Sequence, residues 1–488
     1  SEWNEKMFGP IVYQAFRQIK HFFDPQGILN PGKVVDAAPM TESLRYAPPY
    51  HPADSPTFFD YSRQGGIVRA AELCNGNGAC RKTQGGTMCP SYRATLDEND
   101  TTRGRANALR LALSPVEGPE PRTTDNGQQT GLGARWLYEV YDLCLMCKAC
   151  KAECPSNVDA AKLKAEFLQA YYENRPRPLG HWLMANVHRL NRRGAVVAPL
   201  VNGLQRNRVV RWLLEKLAGI DRRRSLPPLH FDHFRRWFAR HRPDDEAGKR
   251  GKVLLLDDCF TTFNEPSIGR AAVRVLETVG YEVELVGLEC CGRALISKGF
   301  LREAQDLVRR QVKGLRQRLA EGTPLLGLEP SCLLTLADEW TELVPGPDTQ
   351  AVAASVHLAD AWLAREIKDG RASLSLTPRT QECVLHGHCH QKALVGSTGT
   401  ASLLRLVPGL QVDVLDAGCC GMAGSFGFER EHYDLSVKIA NLQLLPALAA
   451  RPEALVVAPG TSCRHQVHDL ASRRAFHPLE VLAEQLTP

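Results

Sequence analysis

Between residues 251 and 488 one cysteine pattern occurs twice. The first copy has Cys259, then Cys290-Cys291-Gly292, then Cys332. The second has Cys389, then Cys419-Cys420-Gly421, then Cys463. The intervening gaps are 30 and 40 residues in the first copy and 29 and 42 in the second. Each cysteine group follows an apolar, strand-like run: 253–256, 283–288 and 325–328, then 384–385, 412–415 and 455–457. Amphipathic segments at 301–319 and 433–448 lie between them. A sequence that alternates short apolar strands with helices predicts parallel sheets covered by helices. In such sheets ligands collect beyond the carboxyl ends of the strands. The cysteines fall there in both copies, which predicts a paired thiolate or metal site in each. The flanking glycines allow close backbone approach, and His386, His388 and His390 around Cys389 offer imidazoles. Ordinary loop hydrogen bonding is the plain alternative for those histidines.

A second cysteine group lies upstream. Cys144, Cys147, Cys150 and Cys154, followed by Pro155, have the spacing C-x2-C-x2-C-x3-C-P. This is the bacterial ferredoxin ligand run for a [4Fe–4S] cluster, and the proline ends any helix begun there. Structural zinc instead uses paired C-x2-C elements separated by a long gap. In two-cluster chains the first three cysteines of a run hold one cluster and the fourth holds the other. The partner run is Cys74, Cys80 and Cys89-Pro90, with Asn77 where a middle cysteine is expected. The interleaved reading gives one complete site, Cys89 with Cys144, Cys147 and Cys150. It also gives a second site one ligand short, Cys74, Cys80 and Cys154. The rival assignment puts Cys144 through Cys154 on one cubane and leaves Cys74, Cys80 and Cys89 as buried thiols. The spacing supports one cluster, and leaves open two or more.

The remaining chain sets these groups in order. Residues 1–36 read as the end of a larger domain, because some thirty-five residues cannot bury a core alone. The opening Ser-Glu-Trp suits a fragment or a processed piece. Residues 37–56 are a proline-rich linker, 57–175 the ferredoxin-type domain with a loop at 115–133, and 176–250 a helical linker. Residues 251–365 and 366–488 are the two Cys-Cys-Gly domains. The fold class expected is α/β plus α: a helical iron–sulfur domain followed by two repeated parallel-sheet domains. At 488 residues several domains are expected. No apolar run reaches the roughly 18 residues of a membrane-spanning helix. A chain this large has no need of a disulfide framework, so the clustered cysteines indicate metal and a reducing compartment.

The net charge of +6 is concentrated between 175 and 250, which hold sixteen arginines with Trp182, Trp212 and Trp237 among them. Two readings stay open. One is a basic amphipathic surface lying on an anionic membrane. The other is a solvated helical linker that packs its tryptophans on a neighbouring domain. Nucleic-acid binding is not expected, since no recognised motif accompanies the charge.

Three segments carry a family resemblance: 74–82, Met88-Cys89-Pro90-Ser91-Tyr92-Arg93-Ala94-Thr95, and Thr102-Arg103-Gly104-Arg105-Ala106-Asn107. They resemble the iron–sulfur half of YdiJ-type FAD-linked D-2-hydroxyacid dehydrogenases, which act on D-lactate or D-2-hydroxyglutarate. Residues 23–33 look like the last motif of that family's flavin domain, and the resemblance places Asn30 near FAD. It implies an FAD-linked oxidase domain upstream or in a partner chain, carrying FAD and the substrate. It further implies electron relay to a quinone or a soluble acceptor, in the cytoplasm or peripherally on the inner face of the cytoplasmic membrane. No catalytic residue of the substrate reaction can be assigned in this chain. Residues 251–488 also resemble the Cys-Cys-Gly domains of heterodisulfide reductase and of glycolate and glycerol-3-phosphate dehydrogenase iron–sulfur subunits. The reductase pattern closes with C-x2-C, whereas Cys332 and Cys463 each stand alone, which counts against its noncubane cluster. The alternatives are a thiol–disulfide reductase component, a glycolate oxidase-like iron–sulfur subunit, or a zinc-bound interaction module.

Overall fold

The structure is a computed structural model and describes residues 2–42, 52, 55–113, 131–319 and 322–487. Most of the expected linker 37–56 and of the loop 115–133 lies outside the described residues. The chain forms two compact units, 1–52 and 53–488.

The first unit contains the helices Asn4–Phe8 and Pro10–Phe23. Among its described residues only Tyr13 and Asp24 are buried. Met7, Ile11, Ile19, Phe22, Phe23, Ile28 and Leu29 are all more than half exposed. Asn30 is exposed, with φ at 50°.

In the second unit the repeat becomes two sheets of the same topology. β1 (Lys252–Leu256), β2 (Glu282–Val286), β3 (Leu325–Gly327) and β4 (Val356–Leu358) pair in the order β2-β1-β3-β4. β5 (Gln381–Leu385), β6 (Leu410–Val414), β7 (Leu455–Val457) and β8 (Ala475–Phe476) pair as β6-β5-β7-β8. Every pairing is parallel. The sequence reading anticipated six of these strands and missed β4 and β8, edge strands of three and two residues that are too short for an alternation signal.

Alternation along β1 explains why the domains cohere. Leu254 and Leu256 enter a core shared with the cluster-region helices, including Leu109, Leu137 and Phe167. Val253 and Leu255 enter a different core, shared with Leu385, Leu455 and Val457 of the second sheet. Successive side chains of a strand point to opposite faces. One strand thus joins the iron–sulfur segment to one side and the second repeat to the other.

The helix expected at 301–319 forms as Leu301–Arg318 and buries Leu301, Ala304, Leu307, Val308, Val312 and Leu315 along one stripe. The segment expected at 433–448 is two helices, Tyr433–Leu442 and Leu444–Ala449. The break follows from Pro446, which has no N–H for the Leu442 carbonyl and crowds it. Between residues 176 and 250 helices run over most of 179–218 and over 234–238, while 219–233 and 239–250 are not helical. Trp237 stacks on Phe234 and His241, with centroids 6.0 and 4.5 Å apart. Trp182 and Trp212, in contrast, are 49% and 46% exposed. The packed-tryptophan reading therefore holds for Trp237 and fails for the other two. Among the described residues no helix is long and apolar enough to cross a membrane.

Candidate metal centres

All sixteen cysteines are free thiols. Cys89, Cys144, Cys147 and Cys150 line one pocket of about 310 Å³, with Cys154 outside it. Met146 and Lys148 adopt left-handed backbone, φ 51° and 61°, and reverse the chain twice so that it wraps the pocket. Burial raises the Cys147 and Cys150 thiols well above their ordinary range. A thiol raised in this way rests protonated, and a metal that binds it must displace that proton.

Basic groups surround this pocket. Arg105, fully buried, places Nη1 3.5 Å from the Cys89 sulfur. Its Nη2 donates to Ser91 Oγ at 3.1 Å and Asp100 Oδ1 at 3.2 Å. Lys164, also buried, donates to the carbonyls of Asp142 and Cys144 at 2.8 and 2.7 Å. Lys148 reaches Asp338 Oδ2 at 2.7 Å and Glu339 Oε2 at 2.6 Å, pinning the cysteine turn to the first repeat. Sequence reading did not single out the roles of these cations. Of the three only Arg105 carried a signal, the resemblance around 102–107, which holds no contact information.

The second expected site is less assembled. Cys80 and Cys154 pack in the same apolar cluster as Cys147 and Cys150, whereas Cys74 belongs to the larger core. Asn77 is exposed, and its Oδ1 accepts from Ala79 N at 3.2 Å.

In the first repeat, Cys259, Cys290, Cys291 and Cys332 line a pocket of about 460 Å³ with His188, Arg192 and Arg235. The sheet order explains the convergence. β1 lies between β2 and β3, so the loops after these three strands meet at the point where the winding reverses. Hydrogen bonds from Cys290 and Cys332 hold the Cys291 thiolate well below the usual thiol range. His188 is 4% exposed, and neither ring nitrogen has a hydrogen-bond partner among the described residues.

The second repeat gathers Cys389, Cys419, Cys420 and Cys463 in the same way. Hydrogen bonds from Cys419, then Cys463 and His386, lower the Cys420 thiol well below its usual range. A hydrogen bond from Cys419 brings Cys389 down to about 6. His386, Cys420 and Cys463 bring one ring nitrogen and two sulfurs within 4.8 Å of one another. The loop-bonding reading holds for His388, whose Nδ1 accepts from His390 N at 3.2 Å. His390 instead turns Nε2 to the Met146 carbonyl of the cluster region at 3.1 Å. Helix Cys389–Leu394 packs against helix Ala149–Glu153, so Cys389 shares an apolar cluster with Cys147. Cys383 is an ordinary buried core thiol on β5.

Three family matches fall on these parts. Residues 70–158 match the 4Fe-4S dicluster domain, 1–34 the C-terminal domain of FAD linked oxidases, and 253–337 the cysteine-rich domain. One of the subunits of the anaerobic glycerol-3-phosphate dehydrogenase of Escherichia coli (strain K12) is 32% identical over 334 residues, covering 68% of this chain and 83% of that protein. D-2-hydroxyglutarate dehydrogenase of the same organism is 27% identical over 525 residues, 99% of this chain and 50% of that protein. Lactate utilization protein A of Exiguobacterium sp. is 25% identical over 236 residues, 47% of this chain and 94% of that protein. No solved structure matches. The chain belongs to the family of iron–sulfur proteins with cysteine-rich domains. Within it, the chain is related to the FAD-linked D-2-hydroxyglutarate and D-lactate dehydrogenase type of oxidoreductase, and spans about half the length of the D-2-hydroxyglutarate dehydrogenases it matches.

Proposed function

We propose that this chain is the iron–sulfur electron-relay portion of a flavin-dependent D-2-hydroxyacid dehydrogenase. The observation that carries the reading is the convergence of Cys89 with Cys144, Cys147 and Cys150 on one buried pocket. That set is the interleaved ligand pattern, and three buried thiols with the half-buried Cys89, flanked by Arg105 and Lys148, fit a polyanionic [4Fe–4S] cubane. When bound, the cluster carries single electrons away from a two-electron flavin. The residues' part is to exclude water, hold the thiolates and balance their charge. Cys74, Cys80 and Cys154 are proposed as a second, incomplete site, and the two Cys-Cys-Gly tetrads as further metal sites. The proximity of Cys389 to Cys147 supports a path into the second repeat.

The partners follow from the surfaces. We assign the exposed apolar face of residues 1–42 to docking of an FAD-linked oxidase domain, with Asn30 nearest the flavin. The match of residues 1–34 to the end of such domains supports this. D-Lactate and D-2-hydroxyglutarate are the proposed substrates of the whole enzyme, and a quinone the proposed acceptor.

The helix Arg208–Ala218 turns Val209, Trp212, Leu213 and Leu217 outward on one face, and Leu200 and Leu204 are exposed on the helix before it. With Arg206, Arg208 and Lys216 exposed around them, this is the arrangement that lies in an anionic membrane surface. Flotation with phosphatidylglycerol-containing vesicles should carry the protein, and Trp212→Glu/Leu217→Glu should abolish that. Equal flotation of the variant would remove the membrane reading.

The relay itself is tested by anaerobic iron and sulfide analysis with EPR on the reduced protein. Cys89→Ser and Cys147→Ser should lose the same cubane signal, while Cys154→Ser should keep it. Zinc without iron or sulfide would overturn the proposal. A loss with Cys154→Ser but not with Cys89→Ser would overturn the ligand set.

A further inference from the structure

We infer that His386 is a metal ligand at the second Cys-Cys-Gly site. It would join Cys420 and Cys463 in a mixed imidazole–thiolate set for a borderline transition metal, iron or zinc. The inference rests on reading the repeats as metal-bearing, and adds a ligand that the cysteine pattern does not contain.

Three observations point to it. First, the ring nitrogen and the two sulfurs lie within 4.8 Å of one another, close enough to surround a single ion. Among the described residues no other group of three such donors meets that spacing. Second, His386 is 1% exposed, and its Nδ1 has no hydrogen-bond partner among the described residues. A buried polar nitrogen left unpaired costs about 1–3 kcal/mol, and the same ring hydrogen-bonds Cys420, so the imidazole is already held against the cysteine pair. Of its neighbours, His388 accepts from His390 N through Nδ1 and His390 sets Nε2 against the Met146 carbonyl. His390 Nδ1 is likewise without a partner among the described residues, but neither ring belongs to the three-donor group that His386 forms with Cys420 and Cys463. Third, the architecture delivers His386 to the cysteines. It is the first residue after β5, and its backbone N–H donates to the Val457 carbonyl at 2.9 Å. That bond fixes it beside β7, the strand that leads to Cys463. Gly460, just before the Cys463 helix, has no room for a side chain against the His388 ring, so the two loops close tightly together.

The first repeat shows what the alternative looks like. There the residue after β1 is Asp257, and its Oδ1 accepts from Arg235 Nη2 at 2.8 Å. The carboxylate is held by a guanidinium and is not free for the cysteines. The two repeats thus share a cysteine frame but differ in the donor that follows the first strand. Nitrogen and sulfur together suit zinc and iron, and imidazole in place of thiolate raises the potential of an iron centre.

The test uses the full chain purified anaerobically with 15N-labelled histidine, alongside His386→Cys and His386→Ala. Iron and zinc are quantified in each. Iron at the site is read by the histidine-nitrogen coupling in pulsed EPR of the reduced protein. Zinc is read by a Zn–N shell at about 2.0–2.1 Å in X-ray absorption. We expect one histidine nitrogen in the wild type. His386→Cys should keep the metal and lose the nitrogen, and His386→Ala should lose one centre's metal. The cubane EPR signal should be unchanged in both variants, which also shows that they fold. A wild type without histidine nitrogen on either metal, or a nitrogen signal that survives in His386→Cys, would overturn the inference. A protein with no cubane signal at all would instead sink the relay reading.

Discussion

Replacing Arg105 with methionine should lower the reduction potential of the proposed cubane. The guanidinium is wholly buried, with Nη1 3.5 Å from the Cys89 sulfur. At an effective dielectric of about 20, unit charges that far apart interact by about 5 kcal/mol. An added electron spreads over the whole cluster, so roughly 2 kcal/mol of that attraction changes on reduction. This corresponds to about 80 mV for a one-electron step, at 59 mV per tenfold change in equilibrium constant. Asp100, the partner of Arg105 at 3.2 Å, partly offsets the cation, so a fall of about 50–80 mV is expected. Arg105→Lys keeps the charge and should move the potential by less than about 30 mV. EPR-monitored redox titration reads both. Methionine also strands the buried Asp100 carboxylate, a loss of about 3–5 kcal/mol. Arg105→Met/Asp100→Asn should recover most of that stability and show a smaller shift than Arg105→Met alone. A full cubane signal in Arg105→Met with a potential within about 20 mV of wild type would refute the electrostatic argument.

Lys148→Met leaves Asp338 and Glu339 with only Lys151 and Arg293 as cations. It should destabilise the loaded protein by about 2–3 kcal/mol in denaturant titrations, somewhat less than a fully unpaired buried charge. Adding Glu339→Gln should restore about half of that. Gly292 and Gly421 both have φ near 89°, but a Cβ at Gly421 would collide with the Ser436 carbonyl, while at Gly292 it meets only ordinary contact. Gly292→Ala should therefore cost about 1–2 kcal/mol and Gly421→Ala distinctly more; equal losses would show that the loop gives way freely. Glu166 is buried, accepts from the backbone of Phe58 and Phe59 at 2.9 and 2.7 Å, and has its pKa raised to about 7, mainly by burial. Its native state holds the proton more tightly than the unfolded chain, so it opposes folding increasingly as pH rises from about 4.5 to 7, by up to about 3 kcal/mol. Glu166→Gln should flatten that part of the stability–pH profile, and an unchanged slope would exclude this group.

Local pattern determined much of this protein. Parallel strand–helix units were legible because apolar runs and turn residues are local properties. The proposed cubane ligands were legible because C-x2-C-x2-C spacing is itself a geometric constraint. The repeat was legible because two copies of one topology place cysteines at the same strand ends. Tertiary structure decided what depends on distant segments. It gathered Cys89 with Cys144, Cys147 and Cys150 around one pocket whose lining does not include Cys154, a grouping that spacing alone leaves open. It placed Arg105 against Cys89 and tied Asp257 to Arg235, and left His386 facing Cys420 and Cys463 while His388 bonded within the loop and His390 to Met146. It also turned Trp212 outward and Trp237 inward within one arginine-rich stretch. These outcomes rest on buried charge pairing and on which apolar face finds a partner. Both are set by groups tens to hundreds of residues apart, which no local window of sequence can rank.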